Sequence, residues 1–154
     1  MLSIIRIRGT VNVHKDLQYT LKLLRLHKPN HIVLIDDRKT YLKMLHKVNS
    51  HIAWGEISVE TLEKLLKERG RVEGDNPLTD EYIKQNSKFK SIPEFAKELI
   101  NLKASLEDVK GLKPVFRLHP PKKGFKGTKK RSYQIGGVIG YRGQEINGLI
   151  EKMI

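Results

Sequence analysis

The sequence contains no cysteine among its 154 residues and has no long apolar segment. The absence of thiols excludes disulfide bridges, thiolate metal sites and cysteine nucleophiles. No run approaches the roughly 18 consecutive apolar residues that a membrane span or a secretory leader would show. We therefore expect a cytoplasmic protein whose fold is held together without covalent cross-links.

Positive charge, in contrast, is in large excess. The chain holds 30 Lys and Arg against 17 Asp and Glu, which gives a formal net charge of +13. Self-repulsion at this charge destabilises a compact state unless a polyanion neutralises it. Nucleic acid is the commonest such partner, and an anionic membrane surface is the second. Because 38% of the residues are hydrophobic, we expect one folded core rather than a disordered polymer.

The charge is also unevenly distributed along the chain. The net charge is +7 over residues 1–50, −2 over residues 51–110 and +8 over residues 111–154. Solubility alone gives no reason for this segregation. The two basic segments are therefore the candidate contact regions for an acidic partner.

The first part of the chain alternates between strand and helix patterns. Ile5 and Ile7 alternate with Arg6 and Arg8, which predicts a strand with one wet, positive face. A stripe of leucines then predicts an amphipathic helix that Pro29 ends. Successive patterns predict a strand, a helix, a strand, a helix and a strand over residues 3–9, 15–28, 31–36, 39–48 and 51–57. This β-α-β-α-β order predicts an α+β fold.

The remainder of the chain has a different character. Its patterns predict helices over 58–70 and 91–100, a strand over 112–118 and a short helix over 146–154. Residues 73–82 have the composition of loops and turns. We therefore divide the chain into a core, residues 1–57, and an appended helical region with a basic arm and a terminal helix, residues 58–154.

The basic arm comprises residues 119–133, which read HPPKKGFKGTKKRSY. Such a stretch is often a solvated loop. It also has the features of a tether that follows phosphates, because each phosphate it neutralises releases counterions. Phe125 and Tyr133 are candidates for stacking on unpaired bases. The spacing of GFKGTKKR does not match a phosphate-binding P-loop. The candidate cations are Lys122, Lys123, Lys126, Lys129, Lys130 and Arg131.

A Gly-X-X-Gly motif with Arg142 at its third position occupies residues 140–143. In a KH domain this motif clamps a nucleic-acid backbone between two helices. Only 11 residues follow Gly143, too few for the rest of that fold. A glycine-rich turn that enters a terminal helix is the better interpretation, with its amide groups and Arg142 available to a phosphate.

Histidines and aspartates raise two further alternatives. His27 and His31 have helical spacing, but Pro29 lies between them and no carboxylate cluster accompanies them, so a zinc site is disfavoured. His31 with Asp36 or Asp37 would be the acid–base pair of an RNA-modifying or RNA-cleaving enzyme. A helix cap is the simpler role for either aspartate.

Several stretches together resemble the ribosomal protein L-thirty family of the large subunit. They are IRIRGTVNV (5–13), TLKLLRLHKPNH (20–31), HIAWGEIS (51–58), FRLHPPKKGFKG (116–127) and GGVIGYRGQEINGLI (136–150). The resemblance covers essentially the whole chain. The last two stretches are similar to the archaeal and eukaryotic branch, and a chain that starts directly at its first strand is typical of archaeal members.

The resemblance implies a ferredoxin-like β-α-β-α-β core with helices on one face of a small antiparallel sheet. It implies a structural component of the large subunit that binds 23S rRNA, near 5S rRNA and beside other ribosomal proteins, with no enzymatic activity, cofactor, small-molecule substrate or membrane. A free DNA-compacting protein remains an alternative. By position, the family's RNA-facing residues correspond to Arg6, Arg8, Lys22, Arg25, His27 and Lys28.

Overall fold

The computed structural model describes all 154 residues, and it contains six strands and six α-helices. The strands are β1 (Leu2–Arg6), β2 (His31–Ile35), β3 (Ile52–Glu56), β4 (Val115–Arg117), β5 (Thr128–Ser132) and β6 (Gly137–Tyr141). The helices are α1 (Lys15–Leu23), α2 (Lys39–Val48), α3 (Val59–Arg69), α4 (Asp80–Asn86), α5 (Ile92–Ile100) and α6 (Ile146–Met153).

All six strands form one sheet in the order β4-β2-β1-β3-β6-β5. Strand β1 lies at the centre and pairs antiparallel with β2 and β3, with Ile5 opposite Ile32 on one side and Ala53 on the other. Strand β4 pairs antiparallel with β2, whereas β6 pairs parallel with β3 and β5 parallel with β6. The sheet is therefore mixed.

Both faces of the sheet are covered. Leu2, Ile4 and Trp54 point to one face, where α1 and α2 pack on them. Ile5, Ile32 and Ala53, the alternate residues of the same strands, point to the other face and join a larger cluster with α3, α5 and α6. Because successive side chains of a strand point to opposite faces of the sheet, β1 contributes apolar residues to both hydrophobic clusters. Residues 1–57 and residues 58–154 both contribute strands to this one sheet. The division of the chain into two parts at residue 57 therefore stays a prediction.

The α+β fold with a β-α-β-α-β core is confirmed, but the sheet extends beyond the predicted core. Helices α1 and α2 cover one face of the first three strands, as predicted. The sequence also predicts β4 and α6, and Ser58 caps α3 by accepting from the amide of Thr61 at 3.3 Å. Strands β5 and β6 were not predicted, because their Lys-rich and Gly-rich sequences show no alternation of apolar and polar residues.

Helix α1 ends five residues before the predicted stop at Lys28. Arg25 adopts a left-handed conformation with φ of 58°, and its N–H donates to the carbonyl of Lys22. The N–H of Leu26 donates to the carbonyl of Leu21 at 2.9 Å. These two bonds define a Schellman termination, normally made by glycine. The helix therefore ends through its own backbone geometry before Pro29 can act.

Gly55 lies where β3 meets the turn that enters α6. A Cβ atom at this position would collide with the backbone carbonyl of Gly143. The N–H of Arg142 donates to the carbonyl of Trp54 at 2.9 Å, which fixes the turn against the strand. This close approach requires glycine at residue 55, and it sets the position of the Gly-X-X-Gly segment.

Candidate nucleic-acid interface

One edge of the sheet collects basic residues from several strand ends. The register places Arg6 beside Ile52 and His31 beside Arg117. The C-terminal ends of β1 and β4 thus lie on the same edge as the N-terminal ends of β2 and β3. We call this row of strand ends, which is distinct from the edge strands β4 and β5, the basic edge. It is formed by Arg8, His27, Lys28, Arg117 and His119. The opposite edge carries Asp36, Asp37 and Glu56.

Arg6 is a structural residue rather than a surface cation. Its side chain is buried, with only 2% of the residue exposed. The guanidinium donates to the carbonyls of Leu26 at 2.6 Å and His27 at 3.0 Å, and also to those of Arg8 and Gly9. Burial lowers its pKa. The prediction that Arg6 lies on a wet face is wrong, because its donors hold the α1–β2 connection against β1.

Arg8 shows the opposite behaviour. It is exposed, and its contact to the carbonyl of Ser50 is long, at 3.4 Å. His27 and Lys28 are exposed as well, on the connection that Arg6 holds in place. The buried arginine therefore supports the surface on which its exposed neighbours are displayed.

The outer face of α1 carries a second basic group. Lys22 is exposed and lines a cleft together with Lys15 and Tyr19, the latter 63% exposed. His27 lines the same cleft, which connects this group to the basic edge. Tyr19 is not among the site residues predicted from the sequence. Its position four residues after Lys15 and three before Lys22, on one helix face, was the available signal.

Arg25 is exposed but lies apart from this cleft. It lines a groove beside Asp36 and Asp37, at the acidic end of β2. The structure therefore does not bring Arg25 together with Lys22 and His27, although all three are close in sequence. The left-handed turn after α1 redirects the chain and causes this separation.

Two histidines at the basic edge have a lowered pKa. Burial lowers the pKa of His31, and the charges of Arg117, His27, Lys28 and Arg6 lower it further. Burial also lowers the pKa of His51, with smaller effects of Arg8 and Arg6. Both side chains therefore favour the neutral form at this edge.

The basic arm crosses the C-terminal end of α6. The N–H of His119 donates to the carbonyl of Met153 at 3.0 Å, and that of Lys122 donates to the carbonyl of Lys152 at 2.8 Å. Helix C-termini leave such carbonyls unsatisfied, so the arm serves as a cap. The arm leaves the sheet at β4 and rejoins it at β5, and the strand directions place both points on the basic edge.

The second half of the arm forms a strand of the sheet, whereas its composition suggests an extended tether. Residues Thr128–Ser132 form the edge strand β5, which pairs with β6 through a bulged register. The six candidate cations are nevertheless exposed, and none forms an ion pair with a carboxylate. The arm therefore presents its full charge to solvent.

The two aromatic residues of the arm line one cleft with Arg142. The guanidinium carbon of Arg142 lies 4.3 Å from the ring centre of Tyr133, and the Lys129 ammonium lies 4.6 Å from that of Phe125. Both rings are half-buried, so each offers less surface than a free stacking platform. Burial lowers the pKa of Arg142, opposed by Tyr133 and Glu145.

The proposed catalytic pair does not assemble. His31 begins β2, and Asp36 follows its last residue, which puts them at opposite edges of the sheet, roughly 16 Å apart at about 3.3 Å per residue. Asp36 instead pairs with Arg38 at 2.8 Å. The capping prediction is also wrong, because Arg38 occupies the N-cap of α2 without a side-chain bond.

These observations define a class: a small, basic α+β protein with a preorganised cationic surface, in which His31 and Asp36 do not form a catalytic pair. No helix of the structure has the length and apolar content to cross a bilayer.

Comparison with known proteins specifies the family. The sequence model for ribosomal protein L30p/L7e matches residues 2–52. The large ribosomal subunit protein uL30 of Methanoregula boonei is 53% identical over 154 residues, 99% of each chain. Those of Archaeoglobus fulgidus and Methanopyrus kandleri are 50% and 46% identical, over 99% and 96% of this chain and 99% of each relative. The chain belongs to the ribosomal protein L30p/L7e family.

Proposed function

We propose that this chain is a structural constituent of the large ribosomal subunit, where it binds and organises large-subunit rRNA and supports translation. The observation that carries this proposal is the 53% identity to a large-subunit uL30 protein over 99% of both chains. The proposal assigns the protein to the cytoplasm, within the ribosome, and assigns it no catalytic activity.

The basic edge and the arm supply the physical mechanism. Their exposed cations neutralise phosphates where segments of rRNA converge, because each contact releases condensed counterions. Contacts to phosphates position a protein on RNA without specifying sequence, so the shape of the RNA is the main determinant of binding. Arg8, Lys22, His27, Lys28 and the six arm cations carry this role.

Aromatic side chains extend the mechanism to unpaired bases. Tyr133 and Phe125 are each covered by a cation in the free protein. We infer that Arg142 and Lys129 move from the rings to phosphates when RNA binds, which leaves the ring faces to bases. Arg6 is excluded from the contact set, since its donors are used within the fold.

The finer assignment rests on the family resemblance. It makes 23S rRNA the direct partner, in the region near 5S rRNA, with other large-subunit proteins as neighbours. The surface of this chain is compatible with contact to more than one RNA segment, because the α1 cleft and the arm cleft share no lining residue.

The proposal is tested by following the chain in ribosomal subunits of the source organism. Mass spectrometry across a sucrose gradient is expected to find it in the large-subunit fraction at about one copy per particle, and to find none in small subunits. A chain confined to the free-protein fraction would contradict the proposal. Equal affinity of the purified chain for duplex DNA and for rRNA fragments would favour DNA compaction instead.

A further inference from the structure

An open groove lies at the acidic edge of the sheet, away from the cationic surface. Its volume is about 960 Å³, and hydrophobic side chains form much of its wall. Leu23 and Leu102 border it and are 56% and 55% exposed, which makes them two of the six large hydrophobic residues exposed on the whole chain. Clustered apolar exposure of this kind marks an interaction site.

One wall of the groove is an incomplete sheet edge. Strand β4 pairs with β2 only from His31 to Val33. Pro114 precedes β4 and lines the groove, so the pairing stops there. Leu34 and Ile35 continue β2 along the groove without a neighbour on that side. An extended polypeptide segment can add to such an edge through backbone hydrogen bonds.

The charges around the groove contrast with the rest of the molecule. Asp36, Asp37, Glu107 and Asp108 line it against Arg25, Arg38 and Lys103, and Arg38 is already paired with Asp36. Met1, which carries the terminal ammonium, also lines the groove, so its carboxylates and cations balance on a chain of net charge +13. The groove therefore lacks the excess of cations that lines the α1 cleft and the arm cleft and attracts phosphates, and its carboxylates complement Lys and Arg side chains.

Two residues that line the groove, Leu102 and Arg25, have a left-handed backbone conformation. Leu102 has φ of 57° and ends α5 by a Schellman termination, in which Lys103 donates to the carbonyl of Glu98 at 3.0 Å. Arg25 occupies the equivalent position after α1. Glycine is the favoured residue at such positions. Two strained non-glycine residues thus border one groove, which is the type of observation that points to function.

We propose that this groove binds an extended, Lys- and Arg-containing segment of another protein. Its apolar side chains pack on Leu23 and Leu102, its basic side chains meet Asp36 and Asp37, and its backbone pairs with Leu34 and Ile35. The proposal does not depend on rRNA binding, since none of these residues is among the proposed RNA contacts.

The test uses two fluorescein-labelled decapeptides, one of alternating Lys and Leu and one of alternating Glu and Leu. Fluorescence anisotropy with the full-length chain is expected to show at least tenfold tighter binding of the Lys-Leu peptide. The same result is not expected from the overall charge, because a protein of +13 repels a cationic peptide. Equal binding of both peptides, or tighter binding of the Glu-Leu peptide, would overturn the proposal.

Variants locate the binding site. Leu102→Gly and the double change Asp36→Asn with Asp37→Asn are each expected to weaken Lys-Leu peptide binding about tenfold. Leu102→Gly relieves the backbone strain, so its melting temperature is expected not to fall, which separates binding from folding. Ile135→Ala and the pair Glu60→Gln with Glu68→Gln are matched controls at exposed positions outside the groove. Unchanged binding by both groove variants would place the peptide elsewhere and refute the proposal.

Other occupants are distinguished by two further measurements. If an rRNA fragment displaces the peptide and Leu102→Gly weakens RNA binding, the groove belongs to RNA. If sedimentation shows a dimer that Leu102→Gly dissociates, the groove binds a second copy of this chain. Either result would overturn the assignment to a basic protein segment.

Discussion

Arg6 and Arg8 illustrate how two residues with one sequence signature take opposite roles. They alternate with Ile5 and Ile7, and nothing in that pattern distinguishes them. In the structure, Arg6 donates to four backbone carbonyls in a buried site, whereas Arg8 makes one long contact at the surface. The first residue therefore contributes to stability and the second to surface charge.

Replacing each arginine with methionine tests this distinction. Arg6→Met is expected to lower the free energy of unfolding by about 2–4 kcal/mol, because it leaves buried carbonyls without donors. Arg8→Met is expected to change it by less than about 0.5 kcal/mol and to weaken rRNA binding. Urea denaturation and filter binding measure the two effects. Equal destabilisation by both changes would contradict the assignment.

His31 gives a prediction for the dependence of stability on pH. Burial, followed by the surrounding cations, lowers its pKa from the usual 6.5. The unfolded chain therefore takes up the proton first as the pH falls. The stabilising contribution of neutral His31 is present above about pH 6.5 and is lost below it, towards the lower pKa of the folded state.

A His31→Gln variant should show a flatter decline of melting temperature between about pH 7 and pH 5. The decline should not disappear, because the pKa of His51 is lowered as well. His119→Gln, at an exposed histidine of the same edge, is the control. The prediction fails if His31→Gln and the native chain lose stability in parallel over this range.

Secondary-structure elements in this protein are joined by close backbone contacts at glycines. The end of β3 and the turn before α6 touch at Gly55 and Gly143, which leaves no room for a side chain at residue 55. Gly148 lies within α6 and has open space around it. Of Gly55 and Gly148, only Gly55 is required by packing.

Gly55→Ala is expected to destabilise the chain by about 2–3 kcal/mol, because the backbone of the turn has to move. Gly148→Ala should instead stabilise it by about 0.5–1 kcal/mol, through the higher helix propensity of alanine. Thermal denaturation of the two variants measures both signs. Similar melting temperatures would show that the contact at Gly55 is loose.

The arm is an element whose function depends on charge more than on packing. Changing its six cations to Gln is expected to reduce the slope of log affinity for rRNA against log salt by roughly 0.7–0.9 for each phosphate that the arm no longer neutralises. The effect of these changes on folding should be small, since the six side chains bury little apolar area.

A matched control removes six exposed lysines from the middle of the chain. They are Lys67, Lys84, Lys88, Lys90, Lys97 and Lys110. Filter binding over a range of salt concentrations compares the two variants at equal net charge. A common slope for both would mean that overall charge, rather than the arm, determines binding.

The whole molecule is electrically polarised across its sheet. Arg8, Lys28 and Arg117 lie at one end of the first four strands and Asp36, Asp37 and Glu56 at the other, because the strand directions bring sequence-distant ends together. The same sheet also unites the two halves of the sequence, since Ile5, Ile32 and Ala53 pack against helices that follow residue 57. This arrangement separates the proposed protein segment from the RNA contacts at Arg8, His27 and Lys28.

A fragment of residues 1–57 tests how far the first half is self-sufficient. Without α3, α5 and α6, it would expose the apolar face that carries Ile5, Ile32 and Leu34. We therefore expect the fragment to self-associate and to lack a cooperative thermal transition. Circular dichroism and analytical ultracentrifugation measure both properties. A monomeric fragment that melts cooperatively would support residues 1–57 as an independent domain.

Local patterns were sufficient for much of the fold. The spacing of apolar residues predicts α1, α2 and α3, because each of these helices buries one face. The alternation of residues predicts β1, whose side chains point by turns into the two hydrophobic cores. Strand β6 is hidden because its partner β3 lies far earlier in the chain, and β5 is hidden because it depends on β6 for its only pairing. The early end of α1 is hidden as well, since Arg25 in a left-handed conformation leaves no compositional sign.

Some features of the candidate site follow from the sequence, and others follow only from the tertiary structure. The sequence by itself determined the excess of positive charge, its two basic segments, the β-α-β-α-β core and the family resemblance, because composition and local periodicity are properties of neighbouring residues. Only the tertiary structure decided that Arg6 is buried, that His31 and Asp36 lie at opposite edges, and that the arm caps α6. Those outcomes depend on strand direction and register, which bring together residues that are distant in the sequence.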